Sequence, residues 1–151
     1  MSLNIVLFTP EIPNNTGNIG RLSLATESVL HLVKPFGFEI NDSRLKRAGL
    51  DYWQHVTVHQ YESITDFYNK NLNAKMIYFS SKGTKSYWQI NFEDNLFLIF
   101  GNESKGLPPS VLNNNICNTY KIPMFKKEIR SLNLSNSVAI IVYEGLRQLN
   151  F

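Results

Sequence analysis

Apolar runs in this 151-residue chain stop abruptly at segments rich in Gly, Asn and Ser. Asn4-Ile5-Val6-Leu7-Phe8 leads to Asn14-Asn15-Thr16-Gly17-Asn18-Ile19-Gly20-Arg21, and Leu96-Phe97-Leu98-Ile99-Phe100 leads to Gly101-Asn102-Glu103-Ser104-Lys105-Gly106-Leu107-Pro108. A third polar segment opens on Ile122-Pro123-Met124 and runs through Ser131-Leu132-Asn133-Leu134-Ser135-Asn136. Strands are expected at Asn4–Phe8, Val29–Val33, Val56–His59, Lys75–Phe79, Leu96–Phe100 and Asn118–Ile122. Helical patterning lies between several of them, at Ile19–Glu27, Ser43–Gly49, Ser63–Leu72, a short turn near Ser110–Asn114, and Asn136–Leu149. Strands separated by helices predict an α/β fold, a mostly parallel sheet with helices on both faces. Continuously apolar strands such as Leu96–Phe100 agree, because parallel strands are covered on both sides. The polar segments then read as loops along one rim of the sheet, where α/β proteins bind ligands.

The final helix repeats Val138, Ile141, Val142, Gly145, Leu146 and Leu149 at three- and four-residue spacing, an apolar stripe for burial, and Ser135-Asn136 are cap-type residues before it. That stripe serves either to cover the sheet or to form a dimer contact.

The length suits one domain over residues 1–151, and 43% apolar with 18% charged content is globular. Apolar runs are too short for a membrane span, and no basic stretch followed by an apolar segment begins the chain, so secretion is not expected. Cys117 is the single cysteine and is expected as a buried, inert thiol. A reducing cytoplasm fits. The net charge of +3 is unevenly spread: Arg44, Lys46 and Arg47 cluster, Lys121, Lys126, Lys127 and Arg130 bracket the third polar segment, and Lys82, Lys85 and Lys105 sit in other loops. Basic loops at a ligand rim favour a polyanion, most simply nucleic acid.

Several chemistries lack their residues. Gly17-x-x-Gly20 is not a dinucleotide fingerprint, and Leu107 stands where a phosphate-binding loop needs lysine. No Gly-x-Ser-x-Gly elbow exists; His31, His55 and His59 lie in or beside apolar strands and are expected to be structural. Acidic residues show no metal-ligand spacing, so no metal is expected. What remains in the loops is backbone donors, small hydroxyl and amide side chains, Glu103 and Arg21. Such a set suits positioning chemistry on a cofactor that already carries an activated group, methyl transfer from a sulfonium being one example.

At these residues the chain resembles the SPOUT superfamily of S-adenosylmethionine-dependent RNA methyltransferases, and within it the short tRNA (cytidine/uridine) 2′-O-methyltransferases that modify the wobble nucleotide. The motifs that carry the likeness are Pro10-Glu11-Ile12-Pro13-Asn14-Asn15-Thr16-Gly17-Asn18-Ile19-x-Arg21, Phe100-Gly101-x-Glu103-x-x-Gly106-Leu107-Pro108, and Ile122-Pro123-Met124 with Arg130 to Asn136. Shorter matches are Lys34-Pro35-x-Gly37-Phe38, Arg44-Leu45-x-Arg47-Ala48-Gly49-Leu50-Asp51-Tyr52, and Lys82-Gly83-Thr84. Glu27-Ser28 departs from the family's usual Gly and aromatic, which alters only a helix end.

The resemblance implies a C-terminal trefoil knot, a homodimer, and S-adenosylmethionine bound in bent form with S-adenosylhomocysteine as product. By this likeness Phe79, Gly101, Ile122, Ser131 and Leu132 hold the cofactor, Gly101 by letting it approach the backbone, and Arg21, Glu103, Ser131 and Asn133 form the catalytic set. A guanidinium with a pKa above about 12 is a poor base, so Arg21 is read as a clamp on a phosphate beside the reacting hydroxyl; Tyr143 is read first as a core or interface tyrosine, with assistance to proton removal from the other subunit as the alternative. With no N-terminal RNA-binding extension, contact with the tRNA anticodon stem-loop is expected from the dimer's basic loops, with Arg44, Arg47, Lys82 and Arg130 as candidates. The competing readings are a ribosomal RNA 2′-O-methyltransferase and an inactive RNA-binding module.

Overall fold

The computed structural model describes residues 2–41, 43–48 and 50–150. Among the described residues, seven strands form one sheet: β1 (Asn4–Phe8), β2 (Val29–Val33), β3 (Val58–Tyr61), β4 (Met76–Phe79), β5 (Lys85–Ser86), β6 (Phe97–Phe100) and β7 (Thr119–Lys121). Their order is β3-β2-β1-β6-β4-β7-β5, and every pairing is parallel. All C-terminal strand ends therefore share one edge.

Five α-helices among the described residues accompany the sheet: α1 (Pro13–Ala25), α2 (Ser43–Ala48), α3 (Ile64–Lys70), α4 (Pro109–Asn114) and α5 (Leu134–Gln148). Alternation along the central strands sorts them into two layers. Ile5 and Leu7 of β1 meet Ile19 of α1 and Val138, Ile141 and Val142 of α5; Val6 and Phe8 meet Phe67 of α3 and Val111 of α4. Every residue of β1 is buried, which explains why that strand carries no polar face. The helix α2 packs on α1, outside the first layer.

α1 and β3 depart from their expected bounds for physical reasons. The first polar segment was expected as a loop with a helix from Ile19, yet α1 begins at Pro13. Proline is well suited to a first helical position, and the missing cap comes from elsewhere in the chain, as described below. The strand expected at Val56–His59 starts at Val58, because Val56 N–H closes a 3-10 turn by donating to Trp53 O at 3.1 Å. That turn belongs to a 3-10 helix at Leu50–His55. Gly49, the expected end of the second helix, lies outside the described residues. Cys117, expected as buried, is exposed on a 3-10 turn at Ile116–Asn118.

His31 bears out its expected structural role. It is buried on β2, with Nδ1 2.8 Å from Tyr61 Oη and Nε2 3.0 Å from Asn4 Oδ1. Asn4 Nδ2 donates to Asn95 O at 3.2 Å, so Asn4 Oδ1 is an acceptor and the imidazole donates to it from Nε2. Burial, with the neighbouring His59 adding to it, lowers the His31 pKa from 6.5 to about 4. His55 and His59 are exposed.

The β5 strand was not anticipated, and it changes the C-terminal third. β7 is hydrogen-bonded between β4 and β5, which are themselves joined only by residues 80–84. The connection lies hard against β7: Ser80 N donates to Tyr120 O at 3.0 Å, and a Cβ on Gly83 would sit 2.6 Å from the Tyr120 carbonyl carbon. Only glycine fits that approach.

Candidate active site

A cleft of about 550 Å³ opens at the C-terminal ends of β4, β6 and β7. That is the rim anticipated from the strand pattern, and its size suits a small organic ligand. Phe79, Gly101, Ile122, Ser131 and Leu132, the residues expected to hold a cofactor, all line it. Phe79 stacks on Phe100 with centroids 4.7 Å apart and 14° between planes, giving a rigid apolar floor at the ends of two neighbouring strands. Gly101 is required by the packing of the loop itself. A Cβ there would collide with the backbone of Gly106 and Leu107, so glycine permits the loop to fold back on itself. Gly106 N donates to Asn102 O at 3.1 Å in that return, and Gly106 takes φ +69°.

The same loop supplies the cap that α1 lacks. Ile12, at the N-cap position, has no side-chain oxygen. Glu103 takes its place: one oxygen accepts from Glu11 N at 2.8 Å, the other from Ile12 N at 3.0 Å and Asn15 Nδ2 at 3.4 Å. A carboxylate here satisfies orphan backbone donors and faces the positive end of the helix dipole. Glu103, expected among the reacting groups, therefore has both oxygens committed to α1. Ser104 reinforces the joint by donating to Glu11 Oε1 at 2.6 Å.

The third segment joins from the other side. Asn133 Oδ1 accepts from Ser135 N at 2.9 Å and Asn136 N at 3.4 Å, so Asn133, and not Ser135-Asn136, caps α5. Its amide Nδ2 donates to Asn15 Oδ1 at 3.0 Å. Asn15, only 5% exposed, thus hydrogen-bonds both Glu103 and Asn133, and all three border the cleft. Sequence reasoning did not single out Asn15 or Glu11. A helix starting at Pro13 with no polar residue at position 12 was the available signal that a cap must arrive from afar.

Basic residues divide into two groups. Lys82, Lys105 and Arg130 border the cleft, against the single carboxylate of Glu103 among its described lining residues. Arg44 and Arg47 are exposed on α2, which rests on α1. Arg21, exposed on α1, does not line the cleft; its guanidinium lies over the Tyr52 ring, 5.6 Å from the centroid. Tyr143 is 55% exposed on the outer face of α5. A partly apolar cleft with a cationic rim can take an amphipathic ligand carrying a planar ring and a negative group, and leaves room for a polyanion beside it.

The model of the SpoU rRNA methylase family matches residues 2–143. A Geobacillus stearothermophilus protein with the provisional name tRNA (cytidine(34)-2′-O)-methyltransferase is 47% identical, the match covering 100% of this chain and 98% of that one. A solved structure concerned with 2-OH methylation of C/U34 on tRNA superposes with a TM-score of 0.94 at 42% identity, over 99% of this chain and 97% of that one. The fold is also similar to that of the SpoU methyltransferase AviRb of Streptomyces viridochromogenes in complex with the cofactor AdoMet. That match has a TM-score of 0.87 at 21% identity, over 97% of this chain and 57% of that one.

Proposed function

The chain belongs to the SpoU rRNA methylase family, and on that premise we propose that it transfers a methyl group from S-adenosylmethionine to the ribose 2′-hydroxyl of the wobble nucleotide, cytidine or uridine 34, of tRNA. The observation that carries the reading is convergence: residues from three distant segments line one cleft at the strand ends. Two relatives that match over nearly the full length of both chains support it: one is provisionally named for 2′-O-methylation of tRNA cytidine 34, and the solved structure concerns 2-OH methylation of C/U34.

The cleft fits the cofactor. Phe79, Ile122 and Leu132 offer apolar walls for a purine ring, and the 101–107 turn exposes backbone groups for its polar edge. Lys82 and Arg130 offer positive charge to a carboxylate or a phosphate at the rim. When bound, S-adenosylmethionine supplies a methyl group on a positively charged sulfur and leaves as S-adenosylhomocysteine. The chain's own part is to hold the donor, orient the hydroxyl and keep the approach in line. Ser131 supplies a hydroxyl at the cleft wall, Asn133 fixes the loop that carries it, and Glu103 positions α1 by capping it. Arg21 clamps the phosphate beside the target ribose, and Arg44 and Arg47 extend the RNA-facing charge.

The reading includes one domain over residues 1–151, a trefoil knot and a homodimer. The position of β7 between β4 and β5, under the tight 80–84 connection, supports a chain threaded through its own loop. Arg21 lies outside the cleft of its own protomer, and exposed Tyr143 and Ile12 mark α5 and the start of α1 as a face for a second copy. A site shared between copies brings Arg21 to its partner's donor. No described helix is long and apolar enough to cross a membrane; the cytoplasm, where tRNA is modified, is the proposed location.

The test is methylation of total tRNA and of ribosomal RNA by the purified protein with labelled S-adenosylmethionine, followed by mapping of the modified nucleotide. The expected product is 2′-O-methylation at position 34 of tRNA. Label in ribosomal RNA, or at another tRNA position, overturns the substrate; absence of cofactor binding overturns the enzyme.

A further inference from the structure

Two consecutive residues of α1 face two consecutive residues of the Leu50–His55 turn. Gly20 lacks a side chain, and the Trp53 ring occupies that space: a Cβ on Gly20 would lie 2.5 Å from Trp53 Cζ3. Trp53 is half-buried and packs against the main core, so the turn is pinned to the helix at that point. The neighbouring residues then meet at the surface, where the Arg21 guanidinium sits 5.6 Å from the centroid of the Tyr52 ring. Tyr52 is 44% exposed and spends an aromatic face on this contact instead of on the core.

We propose that Tyr52 is the positioning residue for Arg21, holding its guanidinium over the ring so that it is preorganised for a phosphate of the RNA substrate. The proposal rests on the reading of Arg21 as an RNA clamp. A free arginine on an exposed helix face samples many rotamers, and ordering it on binding opposes association. An aromatic face within cation–π range restricts that sampling while leaving the guanidinium's N–H edge free to donate. Trp53 wedged against Gly20 holds the turn that carries Tyr52 against α1, so packing of turn on helix brings the ring and the guanidinium together.

Three variants and two readouts test this. Tyr52→Leu removes the aromatic face, Tyr52→Phe keeps it, and Arg21→Ala removes the cation. Under saturating donor, Y52L is expected to lower the single-turnover rate on tRNA by about three- to tenfold, with Y52F restoring most of it. Donor affinity and thermal midpoint should stay close to wild type in both. R21A/Y52L should be no slower than R21A, since Tyr52 acts only through Arg21. An equal loss from Y52L in both backgrounds shows that Tyr52 meets the RNA independently, for example by stacking a base, and overturns the proposal. The second readout needs no turnover: the Arg21 Nε–H resonance, assigned by its loss in R21K, should move in Y52L and stay in Y52F as the ring current requires. A resonance unmoved by Y52L overturns the contact itself. Wild-type protein that fails to methylate any RNA removes the functional reading, while the resonance still decides the pairing.

Discussion

Asn15 and Asn133, 118 positions apart, are joined by a 3.0 Å hydrogen bond from Asn133 Nδ2 to Asn15 Oδ1. Asn15 also donates to Glu103 at 3.4 Å, so one buried amide links α1, the 101–107 loop and the start of α5. A buried amide with both ends engaged is costly to replace, because each partner is left unsatisfied. The cleft is thus held at the one corner where all three segments meet.

Asn15→Ala is therefore expected to weaken cofactor binding about tenfold, chiefly by releasing the loop that Asn133 anchors. Calorimetric titration with S-adenosylmethionine measures it. An unchanged dissociation constant would show that the loop keeps its place without the bridge.

Glu103→Ala should lower stability by about 1–2 kcal/mol, the cost of losing a helix cap with two backbone donors. Glu103→Gln should recover part of that loss, since one amide oxygen can still accept. Urea unfolding at neutral pH distinguishes the two; equal loss in both would assign the effect to charge at the helix terminus instead of to acceptor number.

Gly83→Ala should destabilise by about 1–3 kcal/mol or more, because the added carbon meets the backbone of Tyr120 and Lys121 and not a flexible side chain. The urea midpoint should fall, and cofactor affinity with it, since Tyr120 and Ile122 border the cleft. Wild-type stability in G83A would mean that the 80–84 connection can lift from β7 at no cost.

Much of the scaffold was legible because burial writes itself into a strand. Asn4–Phe8 and Val29–Val33 match their expected bounds, since parallel strands covered on both faces are largely apolar, and their polar exceptions, Asn4 and His31, satisfy each other by a hydrogen bond. The cofactor wall was legible only through the ordered motifs; nothing in the spacing of Ile122 and Leu132 says that they share a cleft. Capping was the least legible, because the cap of α1 arrives from residue 103 and no local window contains it. Likewise β5 is two residues long and is defined by pairing with β7, a relation absent from its own sequence. Exposed Cys117 went against residue-type expectation because it sits on a turn that the short Asn-rich stretch dictates.

The buried imidazole predicts a pH dependence of stability. The His31 pKa is lowered to about 4 in the fold and returns to 6.5 when unfolded, so between these values the unfolded chain binds the extra proton. Stability is thus fully present above about pH 6.5 and falls as pH drops toward 4, by up to roughly 3 kcal/mol. Glu144, whose contacts with Arg147 and Gln148 hold its pKa down to about 2, loses its contribution in a lower window, below its ordinary value of 4.5. Urea unfolding at pH 7, 6, 5 and 4 should show loss already between 6 and 5. A flat profile over that interval would place a proton on His31 in the native state.

The two groups of basic residues should separate by salt dependence. Arg47 is exposed on α2, away from the cleft, whereas Lys82 and Arg130 border it. If Arg47 meets RNA phosphate, Arg47→Ala weakens tRNA binding and reduces the slope of log affinity against log salt by about one, while cofactor affinity is unchanged. Lys82→Ala and Arg130→Ala should instead weaken cofactor binding as well, because a charge at the cleft rim acts on an anionic group of either ligand. Fluorescence anisotropy with a labelled anticodon stem-loop, run from 50 to 200 mM salt as about a fourfold range, gives the slopes. Calorimetry gives the cofactor constants. Loss of cofactor affinity in R47A, or none in either cleft variant, would mean that the division of charge seen on the surface is not the division of labour.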